Sequence, residues 1–202
     1  MKIYDSTMAP NPRRVRIFLA EKGIQVPYEQ VNIAKAENRQ PEFLAINPMG
    51  GVPVLELDDG TYIAESVAIC RYFEELHPEP PLFGADPLDK ALVEMWQRRM
   101  ELNLFTPVAL CFRNTHDFFK GRIPQVPEYG KVSKEGAEKT LAWLDGVLAD
   151  RPFIAGDHYT IADITALVGI DFGRISAIRI TEDQTNLKGW YDSVASRPSA
   201  KA

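Results

Sequence analysis

The chain has 202 residues, of which 45% are hydrophobic and 25% charged, and its formal net charge is −5 at pH 7. This length allows one large domain or two small ones, and the composition is that of a folded protein. Lysines and arginines are scattered rather than clustered, so nucleic acid is not an expected partner. No apolar run approaches the roughly 20 residues of a membrane span, so no membrane partner is expected either.

The only two cysteines, Cys70 and Cys111, both lie in helical patterns. Two cysteines inside helices argue against a disulfide framework and favour a reducing compartment. The first residues pass directly into a strand pattern, and no signal peptide is recognised. The expected location is the cytoplasm.

The first 76 residues alternate between strand and helix patterns. In chain order these patterns predict a strand over 1–5, a helix over 13–22, a strand over 28–33, a short helix over 41–46, a hairpin over 54–63 and a helix over 65–76. The hairpin carries the Asp-Gly pair of a tight turn. The order βαβ, then α, then ββα, is typical of a thioredoxin-like α/β domain.

A proline-rich segment, His77-Pro78-Glu79-Pro80-Pro81, then interrupts all regular structure. Beyond it the apolar residues follow helical spacing to the end of the chain. The sequence therefore predicts a domain over 1–77, a linker over 78–86 and an all-α helical domain over 87–202. Within the helical domain, Pro107 should kink or break its helix, and Thr160 with Asp163 should form a capping box.

Two short motifs point to a ligand. Pro53 stands at the mouth of an apolar strand, where proline cannot donate a ladder hydrogen bond, and a cis Val52-Pro53 bond would turn the Val52 backbone outward. Glu65-Ser66 opens a helix, and a helix N-terminus with a hydroxyl cap is a suitable carboxylate site. Together they suit a small peptide that carries an amine and a carboxylate.

These motifs resemble the glutathione-binding half of the glutathione S-transferase superfamily, in a cytosolic, bacterial-type member. The resemblance continues through the segments 153–157, 160–163, 186–191 and 197–199, in the right order over the chain. It implies that glutathione is the co-substrate. It also implies that Val52 and Pro53 pair with the cysteinyl unit, that Glu65 and Ser66 hold the γ-glutamyl end, and that Arg39 reaches the glycyl carboxylate.

The same resemblance implies attack of the glutathione thiolate on a small electrophile, in a homodimeric detoxification enzyme. The family's catalytic position falls on Ala9, which has no donor, so a covalent cysteine mechanism there is excluded. Asn11 is either the sulfur contact or a helix cap. Ser6 is either a second donor or a turn hydroxyl. The backbone N–H groups of Ala9 and Asn11 are further candidate donors to the sulfur, because they need no side chain.

The second substrate is expected between the domains, with Met8, Phe105, Phe112 and His116 as its walls, although such a stripe is also typical of a core. Arg113, with Arg98 and Arg99, would favour an anionic electrophile or would simply be a surface charge. The three histidines lack metal-ligand spacing, so no metal is expected. A glutathione-dependent disulfide reductase or peroxidase, a ligand-binding protein and a partner-binding module remain the alternatives.

Overall fold

The computed structural model describes residues 1–202 as two compact units, Met1–Leu82 with Lys201–Ala202, and Phe83–Ala200. The elements of the first unit are β1 (Lys2–Asp5), α1 (Pro10–Glu21), β2 (Tyr28–Gln30), α2 (Pro41–Ile46), β3 (Val54–Glu56), β4 (Tyr62–Ala64) and α3 (Ser66–Leu76). The sheet order is β2-β1-β3-β4, with β1 parallel to β2 and antiparallel to β3, and β3 antiparallel to β4. The predicted thioredoxin-like plan of the first unit is confirmed.

Helix α1 begins three residues earlier than predicted, at Pro10. Pro10 and Pro12 both fit the first turn, because the N–H groups of that turn have no acceptor inside the helix. The helix buries Val15, Phe18 and Leu19, the apolar face that the spacing predicts. Its start therefore extends into the loop where the reactive sulfur was expected.

Strand β2 is three residues shorter than predicted. The Asn32 N–H donates to the Glu37 carboxylate at 2.6 Å, and the Asn32 side-chain oxygen accepts from the Lys35 N–H at 3.0 Å. These local side-chain hydrogen bonds offer the backbone an alternative to the ladder, and they end the strand.

The second unit contains only helices. They are α4 (Pro87–Met100), α5 (Thr106–Thr115), α6 (Pro127–Val147), α7 (Ile161–Gly173) and α8 (Thr185–Ala195), with short 3₁₀ turns between some of them. None of the helices in the chain combines the length and the apolar character needed to cross a membrane. The predicted all-α organisation of this unit is confirmed.

A π-helical turn, Glu101–Phe105, joins α4 to α5 just before Pro107. Pro107 has no N–H to donate to the Asn103 carbonyl one turn earlier. The Thr140 hydroxyl on α6 donates to that carbonyl instead, at 2.8 Å. The break expected at Pro107 is therefore a change of helix type in the preceding turn, and a neighbouring helix satisfies the carbonyl.

The division between the units, at 82–83, falls inside the predicted linker. The buried Lys22 ammonium donates to the carbonyls of His77 and Pro80, at 2.7 and 2.6 Å, and pairs with Glu74 at 2.7 Å. The first part of the proline-rich segment is thus held against the first unit. The exact domain boundaries stay a prediction.

The predicted capping box at the start of α7 is present and is fully buried. One Asp163 oxygen accepts from the Thr160 N–H at 2.9 Å and from its hydroxyl at 3.1 Å. The other accepts from the Ile154 N–H and the Trp190 indole N–H, both at 2.9 Å. Burial raises the pKa of the Asp163 carboxyl, while these hydrogen bonds act in the opposite direction.

We expect Asp163→Ala to lower the free energy of unfolding by about 3 kcal/mol or more, because each buried donor left without an acceptor costs roughly 1–3 kcal/mol. Asp192→Ala is the matched control. It removes an exposed carboxylate paired with Lys188 and should cost about 0.5 kcal/mol or less. Urea unfolding of the three proteins measures the difference, and equal midpoints would contradict the role given to Asp163.

Candidate functional site

The loop that leads into β3 exposes an unpaired peptide edge. The Val52-Pro53 bond is cis, as predicted. The N–H and C=O of Val52 take part in no hydrogen bond within the chain, while β3 begins its pairing two residues later, at Val54. An extended peptide ligand could therefore pair with Val52 as a short added strand.

The same loop is braced from the segment before α2. The Asn38 amide donates to the Gly50 carbonyl at 2.7 Å, and the Arg39 guanidinium donates to the Met49 carbonyl at 3.2 Å. Gly50 has a φ of +62°, and a Cβ there would lie 2.8 Å from the Asn38 carbonyl oxygen. Only glycine fits this close approach. Arg39, an expected glycyl contact, thus lies against the loop that presents Val52.

Helix α3 begins with an unusual backbone conformation. Glu65 precedes it with φ 70° and ψ 118°, and its carboxylate is exposed. Ser66 is the first helical residue, so the prediction of a hydroxyl cap is wrong: Glu65 holds the capping position and its side chain makes no capping bond. The first intrahelical bond runs from the Ile69 N–H to the Glu65 carbonyl. The three preceding N–H groups have no acceptor inside the helix, which makes them suitable donors to an anion.

Arg14 is the site residue that sequence reasoning missed. Its guanidinium donates to the Ser66 hydroxyl oxygen at 2.8 Å, and both side chains are buried. Since the oxygen accepts from Arg14, the Ser66 hydroxyl proton is left to donate to a ligand. A signal was present, because Arg14 lies four residues before Phe18, on the apolar face of α1.

The N-terminus of α1 offers fewer hydrogen-bond donors than the sequence suggested. Ala9 occupies the capping position, so the reading of Asn11 as the cap is wrong, and Asn11 is the second helical residue. The Ala9 N–H already donates to the Ser6 carbonyl at 2.9 Å, which gives Ser6 a turn role. Pro10 and Pro12 carry no N–H. Within the first three residues of the helix, only Asn11 has an N–H to give.

The second unit brings together most of the residues expected to contact the electrophile. Phe105 is buried and its ring lies 6.4 Å from that of Phe172, which in turn contacts Phe112 at 5.1 Å. His116 is exposed, 4.6 Å from Phe112, and its Nδ1 accepts from the Phe118 N–H. The proton of the neutral imidazole is therefore on Nε2. In the first unit, Met8 is 88% exposed.

The remaining reactive side chains supply neither a nucleophile nor a metal site. Burial raises the pKa of the Cys70 thiol, so Cys70 stays protonated at neutral pH. Cys111 is also buried, and both cysteines are free. His158 is partly buried, with its Nε2 3.4 Å from an Asp89 carboxylate oxygen. Over residues 1–202, no group of three or more His, Cys, Asp or Glu residues is placed to hold a metal ion.

Comparison with known proteins identifies the family to which the chain belongs. The family models described as the N-terminal and C-terminal domains of glutathione S-transferase match residues 9–76 and 102–198. Glutathione S-transferase 2 of Saccharomyces cerevisiae is 41% identical over 208 residues, which cover 100% of this chain and 88% of that protein. The chain therefore belongs to the glutathione S-transferase family and is an enzyme of that family.

Two crystal structures extend the comparison to the fold. A glutathione S-transferase domain-containing protein of Marinobacter aquaeolei VT8 superposes with a TM-score of 0.95 at 41% identity, covering 98% of this chain and 99% of that one. Gtt2 from Saccharomyces cerevisiae superposes with a TM-score of 0.95 at 40% identity, covering 100% and 99%. The two-part fold is that of these transferases.

The brace on the Val52 loop predicts the effect of two matched substitutions. Gly50→Ala should destabilise the protein by about 2 kcal/mol or more, because it adds a backbone clash to the cost of a positive φ. Gly60→Ala, at φ +85° in open space, should cost only about 1 kcal/mol. Urea unfolding measures both losses. Gly50→Ala should also weaken glutathione binding. Equal effects of the two substitutions would contradict a stabilising role for the close contact between Gly50 and Asn38.

Proposed function

We propose that the protein transfers glutathione to a small electrophile by direct attack of the bound thiolate. The observation that best supports this proposal is the backbone N–H of Asn11, the single available N–H at the start of α1. It lies where the family resemblance puts the sulfur. A thiolate is the nucleophile, and hydrogen bonds together with a helix N-terminus lower its pKa. The attack forms a carbon–sulfur bond while the leaving group departs with the electrons of its own bond.

Glutathione would lie along the Val52 edge with its γ-glutamyl end at α3. The carboxylate of that end suits the Ser66 hydroxyl and the free N–H groups of the helix, and its ammonium suits the exposed Glu65 carboxylate. A zwitterion thus meets donors and an acceptor side by side. Pro53 ends the paired edge. Arg39 would retain enough exposed guanidinium, beside its bond to Met49, to reach the glycyl carboxylate.

The thiolate would be stabilised by residue 11 through two groups, its backbone N–H and its side-chain amide. The amide makes no capping bond in α1, so it is available to the sulfur. Ala9 contributes no side-chain donor, and the Ser6 hydroxyl is a second candidate donor from the same loop. Because so few donors converge here, we expect the pKa of the bound thiol to fall only modestly below that of free glutathione.

The electrophile would meet Phe112 and His116 of the second unit, with the buried Phe105 ring supporting them through Phe172. Half-buried rings of this kind suit an apolar or aromatic acceptor. His116, with its proton on Nε2, can donate to an oxygen of the acceptor.

We also propose a homodimer that acts in the cytoplasm in detoxification. Helix α4 exposes Leu88, Leu92 and Met95, spaced by four and three residues. An exposed apolar stripe on a helix is typical of an interface, and it supports association through α4. Two free, buried cysteines support a reducing compartment.

Removing the Ser66 hydroxyl should weaken glutathione binding. Ser66→Ala deletes a donor to a charged carboxylate, and we expect a loss of about 1–3 kcal/mol in calorimetric binding free energy. Ser176→Ala, outside the site, should bind as the wild type does. If Ser66→Ala retained full affinity, the hydroxyl would not contact the γ-glutamyl carboxylate.

The proposed role of Asn11 can be tested by adding and removing hydrogen-bond donors at the start of α1. Asn11→Ala should raise the pKa of the bound thiol by about 1, the effect of losing one hydrogen bond to a charged group. Pro12→Ala adds an N–H to the first turn and should lower that pKa. Thiolate absorbance of the glutathione complexes against pH gives the values, and the transfer rate at subsaturating electrophile should rise with pH through each one.

Two outcomes would contradict the proposal. Superimposable titrations for wild type, Asn11→Ala and Pro12→Ala would mean that the sulfur lies away from the start of α1. Faster turnover of bis(2-hydroxyethyl) disulfide than of 1-chloro-2,4-dinitrobenzene would make the protein a disulfide reductase instead. Asn186→Ala, an exposed change far along the chain, is the matched control and should leave both measurements unchanged.

A further inference from the structure

The turn that leads into α1 connects the end of β1 to the start of the helix. The Ala9 N–H donates to the Ser6 carbonyl at 2.9 Å, so Thr7 lies at the centre of a tight turn. Ala9 is the capping residue of α1, and Asn11 follows as its second helical residue. A shift of this turn would therefore move the start of the helix.

Both sides of the Thr7 backbone are bound by side chains from other elements. The Thr7 N–H donates to the side-chain oxygen of Gln30, the last residue of β2, at 3.2 Å. The Thr7 carbonyl accepts from one guanidinium nitrogen of Arg16, on α1, at 3.3 Å. Because Thr7 is exposed to solvent, these two hydrogen bonds, rather than burial, hold its backbone in place.

The two side chains that bind Thr7 are joined to each other through Asp5, the last residue of β1. One Asp5 carboxylate oxygen accepts from Arg16 at 2.6 Å, and the other accepts from the Gln30 amide at 2.6 Å. Asp5 is 1% exposed, so its carboxylate is a fixed anchor for both. We call Asp5, Arg16 and Gln30 the Thr7 clamp. Its hydrogen bonds close a ring from the carboxylate, through both side chains, to the Thr7 backbone.

The Thr7 clamp acts by geometry rather than by net charge. Its carboxylate and its guanidinium form an ion pair, so their charges offset each other at a distance. A third titratable group, the Tyr28 phenol, interacts with this pair, and burial raises its pKa, so it is neutral at neutral pH. The effect of the clamp on a ligand therefore depends on where it holds the turn.

Granted the transfer reaction proposed above, on which this inference rests, we propose that Asp5, Arg16 and Gln30 are positioning residues for the glutathione thiolate. By holding the Thr7 backbone, they keep the start of α1 where the Asn11 N–H can donate to the sulfur. A hydrogen bond weakens steeply as its distance and angle depart from the optimum. A loosened turn should therefore make the bound thiol less acidic without abolishing glutathione binding.

Gln30→Met is the most direct test, because it removes both hydrogen bonds of an exposed side chain while keeping its length. We expect the pKa of the bound thiol to rise by about 0.5, a roughly threefold loss of acidity. Thiolate absorbance of the glutathione complex against pH measures it. Calorimetric affinity for S-methylglutathione, which has no thiol proton, should match that of the wild type. Gln25→Met makes the same chemical change at another exposed glutamine and is the matched control.

Arg16→Lys separates geometry from charge. Lysine keeps the positive charge beside Asp5, but it has one nitrogen where the guanidinium fork has two. It therefore cannot bind the carboxylate and the Thr7 carbonyl in the same way at once. We expect the pKa of the bound thiol to rise as it does in Gln30→Met. Urea unfolding establishes that each variant is folded under the conditions of the titration.

The transfer reaction and the clamp would fail in different ways. Superimposable titrations of the wild type and Asn11→Ala would place the sulfur away from α1, and both proposals would be wrong. If Asn11→Ala raises the pKa while Gln30→Met titrates as the wild type does, the reaction stands and the clamp is overturned. An equal rise in Gln25→Met, or a wild-type titration of Arg16→Lys, would also overturn it, because the effect would be unspecific or one of charge.

Discussion

The hydrogen bond from Arg14 to Ser66 connects the two helices on which the glutathione site depends. It runs from the first turns of α1 to the first residue of α3, at 2.8 Å, between buried side chains. A buried cation that lost this acceptor would carry a large desolvation cost, so the contact resists any shift of one helix along the other. The helix start proposed to meet the sulfur and the one proposed to meet the γ-glutamyl carboxylate are thereby held together.

Most of the proposed glutathione contacts come from the backbone. Val52 contributes an unpaired peptide edge, α3 contributes its first N–H groups and α1 contributes the N–H of Asn11. Backbone groups supply donors whatever side chain stands at the position. A chain with Ala9 at the family's catalytic position can therefore keep the proposed glutathione site. The backbone groups of the loops and helix starts supply more of its contacts than the one missing side-chain hydroxyl would.

The second unit contains a buried charge that serves the fold. The Asp163 carboxylate is buried and accepts hydrogen bonds from four donors, so it belongs to the packing of α7 and α8. A buried charge with all its partners in place stabilises the fold, whereas the same charge without them would carry a large desolvation cost.

Local patterns in the sequence predicted the helices and strands, the capping box and the Val52-Pro53 and Glu65-Ser66 motifs, because spacing, proline and capping residues act over a few residues. The sequence alone did not predict that Ser66 follows the cap, that the Ala9 N–H is already bonded, or that strand β2 stops at Gln30. It also did not predict that Arg14 reaches Ser66, although the two are 52 residues apart. Such contacts join segments distant in the chain or depend on competing hydrogen bonds, so only the tertiary structure decides them.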